Sequence, residues 1–163
     1  MGDIYDIATY QPTKSVGALL SRVRVEMLAT LDKDLAGDQR LAPLELSAAQ
    51  LIIIANLAAA EEPLSASDLC KHISYDAGAM TRMLDRLESK GLIRRNRCPQ
   101  DRRLMYLELT DEGRAAYPRM REISMAVANR FLAGFTKAEA RQLEGLLARM
   151  LENAFGLAPR ASA

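Results

Sequence analysis

Arginine is concentrated in one short stretch of this chain, residues 92–110. Five arginines stand there: Arg94, Arg95, Arg97, Arg102 and Arg103. Two segments of alternating apolar residues flank a Cys-Pro-Gln-Asp turn at residues 98–101, which predicts a β-hairpin. Guanidinium groups on a hairpin can contact DNA phosphates or enter a minor groove. Charge also protects an exposed sheet edge from aggregation, so the hairpin alone leaves both interpretations open.

A second set of candidate DNA contacts precedes the hairpin, on a helix predicted over residues 77–90. These candidates are Ala77, Gly78, Ala79, Thr81, Arg82 and Arg86. Small residues let a helix backbone approach DNA closely, Thr81 can contact a phosphate or a thymine methyl group, and Arg82 can bridge two guanine acceptors. Arg86 lies one turn later and suits a phosphate. Any one of them could be an ordinary exposed residue, but their shared face beside an arginine hairpin favours DNA binding.

Capping sequences and apolar spacing predict the helices that position these residues. Apolar residues recur at helical spacing over 14–35, and further helix starts are predicted at residues 47–50, 65–68, 76, 110–112 and 136–139. Two short helices, a tight turn and a basic hairpin make a winged helix-turn-helix. We therefore expect a mainly α fold with a small β-hairpin wing. Its predicted parts are an arm and first dimerisation helix at 1–45, a DNA-binding lobe at 46–110, and C-terminal dimerisation helices with a tail at 111–163.

Composition limits the classes of protein to consider. The chain has 163 residues, the size of one domain, and only 5% aromatic residues with no tryptophan, which favours helices. The net charge is +1, yet residues 82–103 hold eight basic and three acidic residues, a local excess of +5. Such asymmetry would turn one face towards a polyanion. No signal peptide or membrane-spanning run is visible, and two cysteines make no disulfide framework, so a cytoplasmic location is expected.

Several motifs occur together in an order and spacing that resemble the MarR family of bacterial transcriptional regulators, over roughly residues 16–155. They are Leu44-x-Leu-Ser-x-x-Gln50, Leu64-Ser-Ala-Ser-Asp-Leu69, Met80-Thr-Arg-Met-Leu-Asp-Arg-Leu-Glu-Ser-Lys-Gly-Leu-Ile93, Asp101-Arg-Arg103 and Leu109-Thr-Asp-Glu-Gly113. The resemblance implies a homodimeric repressor that binds an inverted repeat of double-stranded DNA and is released by a small, often aromatic and anionic ligand.

The resemblance also implies roles for single residues. It places Thr81, Arg82 and Arg86 on the recognition helix, makes Arg97 and Arg102 minor-groove candidates near the wing tip, and suggests that Asp101 pairs with Arg103. One departure from the family pattern is that Gly78-Ala79 stands where a Ser-Thr pair usually opens the recognition helix. Backbone contacts and DNA shape would then carry more of the recognition.

Apolar stripes near both chain ends independently indicate a homodimer. The first helix and the last two each carry a continuous stripe, and a DNA-binding lobe of some 65 residues is too small to cover them all. Pairing across a two-fold axis would bury the excess and set two recognition helices about 34 Å apart. The alternative is that one monomer satisfies every stripe.

A small aromatic carboxylate or phenolic acid is the expected effector, bound where the dimerisation helices meet the DNA-binding lobe. Arg22 and Arg24 interrupt the apolar first helix, where an arginine can clamp a carboxylate, and His72 is a third candidate for the same junction. A lone histidine is more often a packed or helix-terminal residue, and Arg22 could pair with an acid instead.

Other chemistries have weaker support in the sequence. Cys98 at the predicted wing tip adjoins Arg97, which can lower a thiol pKa, so a cysteine-redox regulator is an alternative. One histidine and two separated cysteines predict no metal site, no cofactor motif is present, and no catalytic constellation indicates an enzyme. A helical protein-interaction module is the remaining alternative, and its binding to DNA would not depend steeply on salt.

Overall fold

The computed structural model describes residues 3–73, 75–97 and 105–156. Within them lie six α-helices: α1 (Val16–Gly37), α2 (Ala48–Ala59), α3 (Ala66–Ile73), α4 (Ala77–Ser89), α5 (Asp111–Phe131) and α6 (Lys137–Ala154). The strands are β1 (Leu64–Ser65), β2 (Ile93–Arg97) and β3 (Met105–Leu109). The chain forms two compact units, Met1–Val127 and Ala128–Ala163, so α6 belongs to the second unit and the other helices and strands belong wholly or mainly to the first.

Local capping accounts for where the helices of the first unit begin. The Ser47 Oγ accepts a hydrogen bond from the backbone amide of Gln50 at 3.3 Å. In return, the Gln50 Oε1 accepts one from the backbone amide of Ser47 at 3.1 Å. Ser65 and Asp68 exchange the same pair of bonds at 3.2 and 3.1 Å, so aspartate serves here in place of the usual glutamate or glutamine. Asp76 caps α4. These predicted starts are confirmed.

The predicted hairpin is an antiparallel pair whose register runs from Ile93 opposite Leu109 to Arg97 opposite Met105. A third strand, β1, pairs with the other edge of β3, so the strand order is β1-β3-β2. Strand β1 is not predicted from the sequence, because two residues are too few to show alternation. The predicted turn at 98–101 lies outside the described residues.

A core of aliphatic side chains joins the short helices to the sheet. Its most buried members, all 2% exposed or less, include Leu35, Ile53, Ile54, Leu69, Met80, Leu84, Leu87, Leu92, Ile93 and Met120. Each such burial contributes about 1.5–3 kcal/mol relative to exposure. The inward stripe predicted on α4 is confirmed for Met80, Leu84 and Leu87, whereas Met83 is only half-buried. This core holds α4 and the hairpin against α2 and α3.

The described residues of the N-terminal arm form local hydrogen bonds. The Asp6 carboxylate accepts hydrogen bonds from the amides of Ala8 and Thr9, and the Tyr5 hydroxyl accepts one from the Val16 amide at 3.1 Å. This last bond satisfies a free amide at the start of α1.

The second unit consists of the end of α5, a turn and α6. A capping box between Thr136 and Glu139 opens α6, as predicted. The helix has no buried residue and exposes Leu143, Leu146, Met150 and Leu151. Across the described ranges, no helix is both long enough and apolar enough to cross a membrane.

Candidate nucleic-acid interface

Helix α4 presents an exposed polar face opposite its buried stripe. Its 13 residues make a rod of about 20 Å, a length that suits the major groove of B-DNA. Thr81, Arg82 and Arg86 are all exposed on this face. The Thr81 hydroxyl donates to the Ala77 carbonyl at 2.8 Å, which leaves its oxygen lone pairs and its methyl group available. The structure thus places the three polar residues predicted as contacts on this helix on its exposed side.

Gly78 provides space for Arg82 at the start of α4. A Cβ atom added at Gly78 would lie 3.5 Å from the Arg82 Nη1 and 3.2 Å from an oxygen of the capping Asp76 carboxylate. The arginine therefore folds back along the first turn, over a residue with no side chain. The departure noted at Gly78-Ala79 has this local consequence: a larger residue at 78 would press on the helix cap.

Two arginines of the wing are held by carboxylates. Arg94 and Glu108 are cross-strand partners whose Nη2 and Oε2 atoms lie 2.9 Å apart. Arg95 bridges two acids of α4, with 2.6 Å to Asp85 and 2.7 Å to Glu88. Hydrogen bonds from the Arg94 guanidinium and then from the Asn96 side chain hold the pKa of Glu108 below its ordinary value. The charges of Arg94 and Arg95 are thus engaged within the protein.

Three further arginines of the interface have guanidinium groups that no described residue engages. Arg82, Arg86 and Arg97 are exposed, and none forms an ion pair or a side-chain hydrogen bond with another described residue. Arg97 lies on the same face of β2 as Arg95, two residues nearer the wing tip. Arg102 and Arg103, together with the suggested partner Asp101, lie outside the described residues. Among the described residues, the unpaired positive charge of this face therefore belongs to α4 and the distal end of β2.

A lysine anchors the C-terminal end of α4. The Lys90 Nζ donates to the backbone carbonyls of Leu44 and Glu45, both at 2.6 Å. Glu45 has a left-handed backbone with φ of 44°, which ends the short 3-10 turn that precedes α2. This role of Lys90 is not predictable from the sequence, since the contact spans more than 40 residues and leaves no local signal.

Comparison with known proteins decides what this arrangement is. A family model described as the MarR family matches residues 46–105. The helix-turn-helix-type transcriptional regulator YdgJ of Bacillus subtilis, itself uncharacterized, is 37% identical over 108 residues, 66% of this chain. The match spans slightly less than two thirds of that relative, 65% of its length. The crystal structure of a point mutant of Escherichia coli MarR with operator DNA is 31% identical, with 83% of this chain and 93% of that chain covered and a TM-score of 0.71.

The chain belongs to the MarR family. The winged helix-turn-helix predicted from the sequence is confirmed, with β2 and β3 as the wing. The family match at 46–105 falls within the DNA-binding lobe predicted at 46–110. BpsR of Bordetella bronchiseptica, a protein whose DNA binding is regulated by 6-hydroxynicotinic acid, shares the fold at a TM-score of 0.75 and 24% identity, covering 88% of this chain and 97% of that chain.

The three effector residues predicted for this MarR-family protein are not brought to one cavity. Arg22 and Arg24 lie exposed on α1, while His72 at the end of α3 lines a separate cavity of about 280 Å³ beside Glu61 and Glu62. Two cavities of about 460 Å³ each are lined by other residues, among them Asp38 and Arg119.

An ion-pair cluster that the sequence analysis missed borders both of these larger cavities. Arg119 on α5 contacts Asp38 at the end of α1 at 2.8 Å and Glu122 at 2.7 Å. The side chain of Asp38 is only 10% exposed, and the hydrogen bond from Arg119 holds its pKa below the ordinary value of 3.8. The two partners are 81 positions apart in the sequence, so no local pattern announces the pair.

The cysteine and metal predictions concern other parts of the protein. Cys70 is a half-buried free thiol on α3, and Cys98 lies outside the described residues. Among the residues that the structure describes, no three His, Cys, Asp or Glu side chains are grouped to hold a metal ion.

Proposed function

We propose that this protein is a ligand-responsive transcriptional repressor, not an enzyme, that binds a palindromic operator as a homodimer in the cytoplasm. The observation that carries the proposal is a set of exposed arginines on α4 and β2 that pair with no described residue: Arg82, Arg86 and Arg97. Unpaired guanidinium groups on a groove-sized helix and an adjacent wing suit phosphates and guanine edges. The family membership supports the regulatory role, and the related MarR structure was determined with operator DNA.

In this proposal α4 enters the major groove with its N-terminal half. Ala77, Gly78 and Ala79 allow close approach of the helix backbone, Thr81 and Arg82 read base edges, and Arg86 contacts a phosphate. Arg97, together with Arg102 and Arg103 from the sequence prediction, contacts the backbone or the minor groove through the wing. Arg94 and Arg95 were proposed as contacts too, but their carboxylate partners favour structural roles.

Exposed apolar side chains in each unit support the homodimer. Val16, Leu19 and Val23 of α1 are 44–52% exposed, and α6 exposes four large apolar residues. Such faces are typical of surfaces buried by self-association. A two-fold dimer would present two α4 helices to successive major grooves.

The effector in this proposal is a small aromatic carboxylate or phenolic acid. Its support is the fold shared with BpsR, which responds to 6-hydroxynicotinic acid, and the presence of arginines able to clamp a carboxylate. Arg22, Arg24 and His72 remain the proposed effector contacts. Arg119, which lines the two larger cavities, is the alternative arginine for binding the carboxylate. Titration of salicylate or 6-hydroxynicotinate into the Arg22→Ala and Arg119→Ala variants, with release of DNA as the readout, would separate the two locations.

Selection of duplexes from a randomised pool tests the proposed function. The wild-type protein should enrich an inverted repeat and bind it far more tightly than a scrambled duplex of the same length. Arg82→Ala should cost about 1–3 kcal/mol on the selected duplex and much less on the scrambled one. Arg121→Ala, an exposed arginine on α5, is the charge-matched control and should change neither. A wild-type protein that enriches no sequence at low salt would overturn the proposal.

A further inference from the structure

We propose that Arg95 is a positioning residue that fixes the wing against the recognition helix, and that it does not contact DNA. The inference deepens the proposed function and rests on it. It also departs from the sequence prediction, which counted all five wing arginines as DNA contacts.

The geometry ties two elements together through one side chain. Asp85 and Glu88 are three residues apart on α4, so their carboxylates lie on one face of that helix. The guanidinium of Arg95 forks between them, with Nη2 on Asp85 at 2.6 Å and Nη1 on Glu88 at 2.7 Å. The Arg95 side chain is only 27% exposed. A planar guanidinium that donates to two carboxylates at once fixes the orientation of the wing relative to α4 as well as its distance.

Among the described ion pairs between the wing and α4, those of Arg95 lie nearest to the tip of the wing. Side chains alternate along β2, so Ile93, Arg95 and Arg97 share a face. Ile93 is anchored in the core and Arg97 is exposed. Strand β1 pairs only with Leu107 and Tyr106 of β3, the residues opposite Arg95 and Asn96. Beyond that level the described hairpin consists of the single pair Arg97–Met105, which β1 does not support, and Arg95 supplies the nearest side-chain link from β2 to α4.

The local charge argues against a phosphate contact at Arg95. Two carboxylates and one guanidinium sum to −1, which repels a phosphate rather than attracting it. Arg94 differs, because its partner Glu108 lies within the hairpin and its ion pair fixes nothing to α4. The two adjacent arginines thus have separate structural roles.

The sharpest test removes an acid rather than the arginine. Glu88→Gln takes a negative charge from the DNA-binding face, which by electrostatics alone should strengthen binding. Positioning predicts the opposite on the duplex selected by the wild-type protein, a loss of about tenfold, with little change on a scrambled duplex. Glu61→Gln on the loop before β1 is the charge-matched control and should not weaken the selected complex.

Arg95→Gln should lose a similar factor on the selected duplex while the slope of log affinity against log salt stays the same. Arg97→Ala, the proposed phosphate contact, should lower that slope by about 1. Urea unfolding at fixed protein concentration answers whether the single variants merely misfold, since Glu88→Gln and Arg95→Gln should both remain folded in the absence of urea.

Unchanged or tighter binding by Glu88→Gln, or a reduced salt slope in Arg95→Gln, would overturn the inference and leave the proposed function standing. A wild-type protein that binds no duplex would overturn both.

Discussion

Gly113 in the first turn of α5 lies directly against the backbone carbonyl of Leu92 at the start of the wing. A Cβ atom at position 113 would clash with that carbonyl oxygen. Thr110 completes the junction: its amide donates to Leu92 at 3.1 Å, its hydroxyl donates to the Gly91 carbonyl at 2.6 Å and accepts from the Gly113 amide at 3.1 Å. The motifs at 80–93 and 109–113 that carried the family resemblance are therefore two sides of one contact.

Gly113→Ala should destabilise the protein although it replaces glycine in a helix. The usual gain in helix propensity, about 1 kcal/mol, is outweighed because the backbone of the wing or of α5 must shift, at a cost of about 1–3 kcal/mol. Urea unfolding at fixed protein concentration measures the change. Gly145→Ala in α6, where an added Cβ meets nothing within 4 Å, is the control and should stabilise slightly. Equal effects of the two substitutions would contradict the close contact.

Lys90→Met should lower the free energy of unfolding by about 1–3 kcal/mol. The substitution keeps the apolar stem but leaves the carbonyls of Leu44 and Glu45 without the ammonium that both accept from. Lys71→Met is the matched control, since Lys71 is 74% exposed and its 3.6 Å pair with Asp68 should contribute at most about 0.5 kcal/mol. Urea unfolding of the two variants gives the comparison, and equal stabilities would show that the Lys90 contact contributes nothing.

The Asp38 carboxylate should make stability fall in acid. Its folded-state pKa lies below 3.8, chiefly through the Arg119 hydrogen bond, so the unfolded chain takes up this proton first. The contribution is therefore fully present above pH 3.8 and is lost as the pH falls through the folded-state pKa. Asp38→Asn should be less stable than the wild type at pH 7, and this difference in the free energy of unfolding should narrow below pH 3.8.

Urea unfolding at pH 7, 5 and 3 checks this expectation, with Asp3→Asn as an exposed control. A gap between Asp38→Asn and wild type that stays constant across the three pH values would show that the ion pair with Arg119 is not what protects the carboxylate.

Arg97→Ala should weaken binding to selected and scrambled duplexes by similar factors. A phosphate contact carries no sequence information, so its loss lowers the salt slope by about 1 on both. Arg94→Ala should leave the slope nearly unchanged, because Glu108 already neutralises Arg94. Fluorescence anisotropy between 50 and about 200 mM salt suffices to measure the slopes. A larger slope change for Arg94 than for Arg97 would reverse the assignment of the two arginines.

Local physics explains which predictions from the sequence were confirmed. A capping box acts over three residues, as at Ser47–Gln50, and Gly91 has the left-handed φ of 69° that a helix end requires. Helical spacing identified the buried stripe of α4, and alternation identified the hairpin. Two-residue β1 escaped, since its pairing with Leu107 and Tyr106 is a contact across more than 40 positions.

The helices, the wing and the family are predictable from the sequence, because caps, turns and periodicity are encoded within a few neighbouring residues. Which charges are available depends on the folded protein. Arg95 and Arg97 look alike in the sequence, yet Arg95 is held by two carboxylates of α4 and Arg97 pairs with no described residue. The Asp38–Arg119 pair likewise joins residues 81 positions apart. An ion pair depends on where two chain segments meet in space, and that meeting is set by the packing of the whole core.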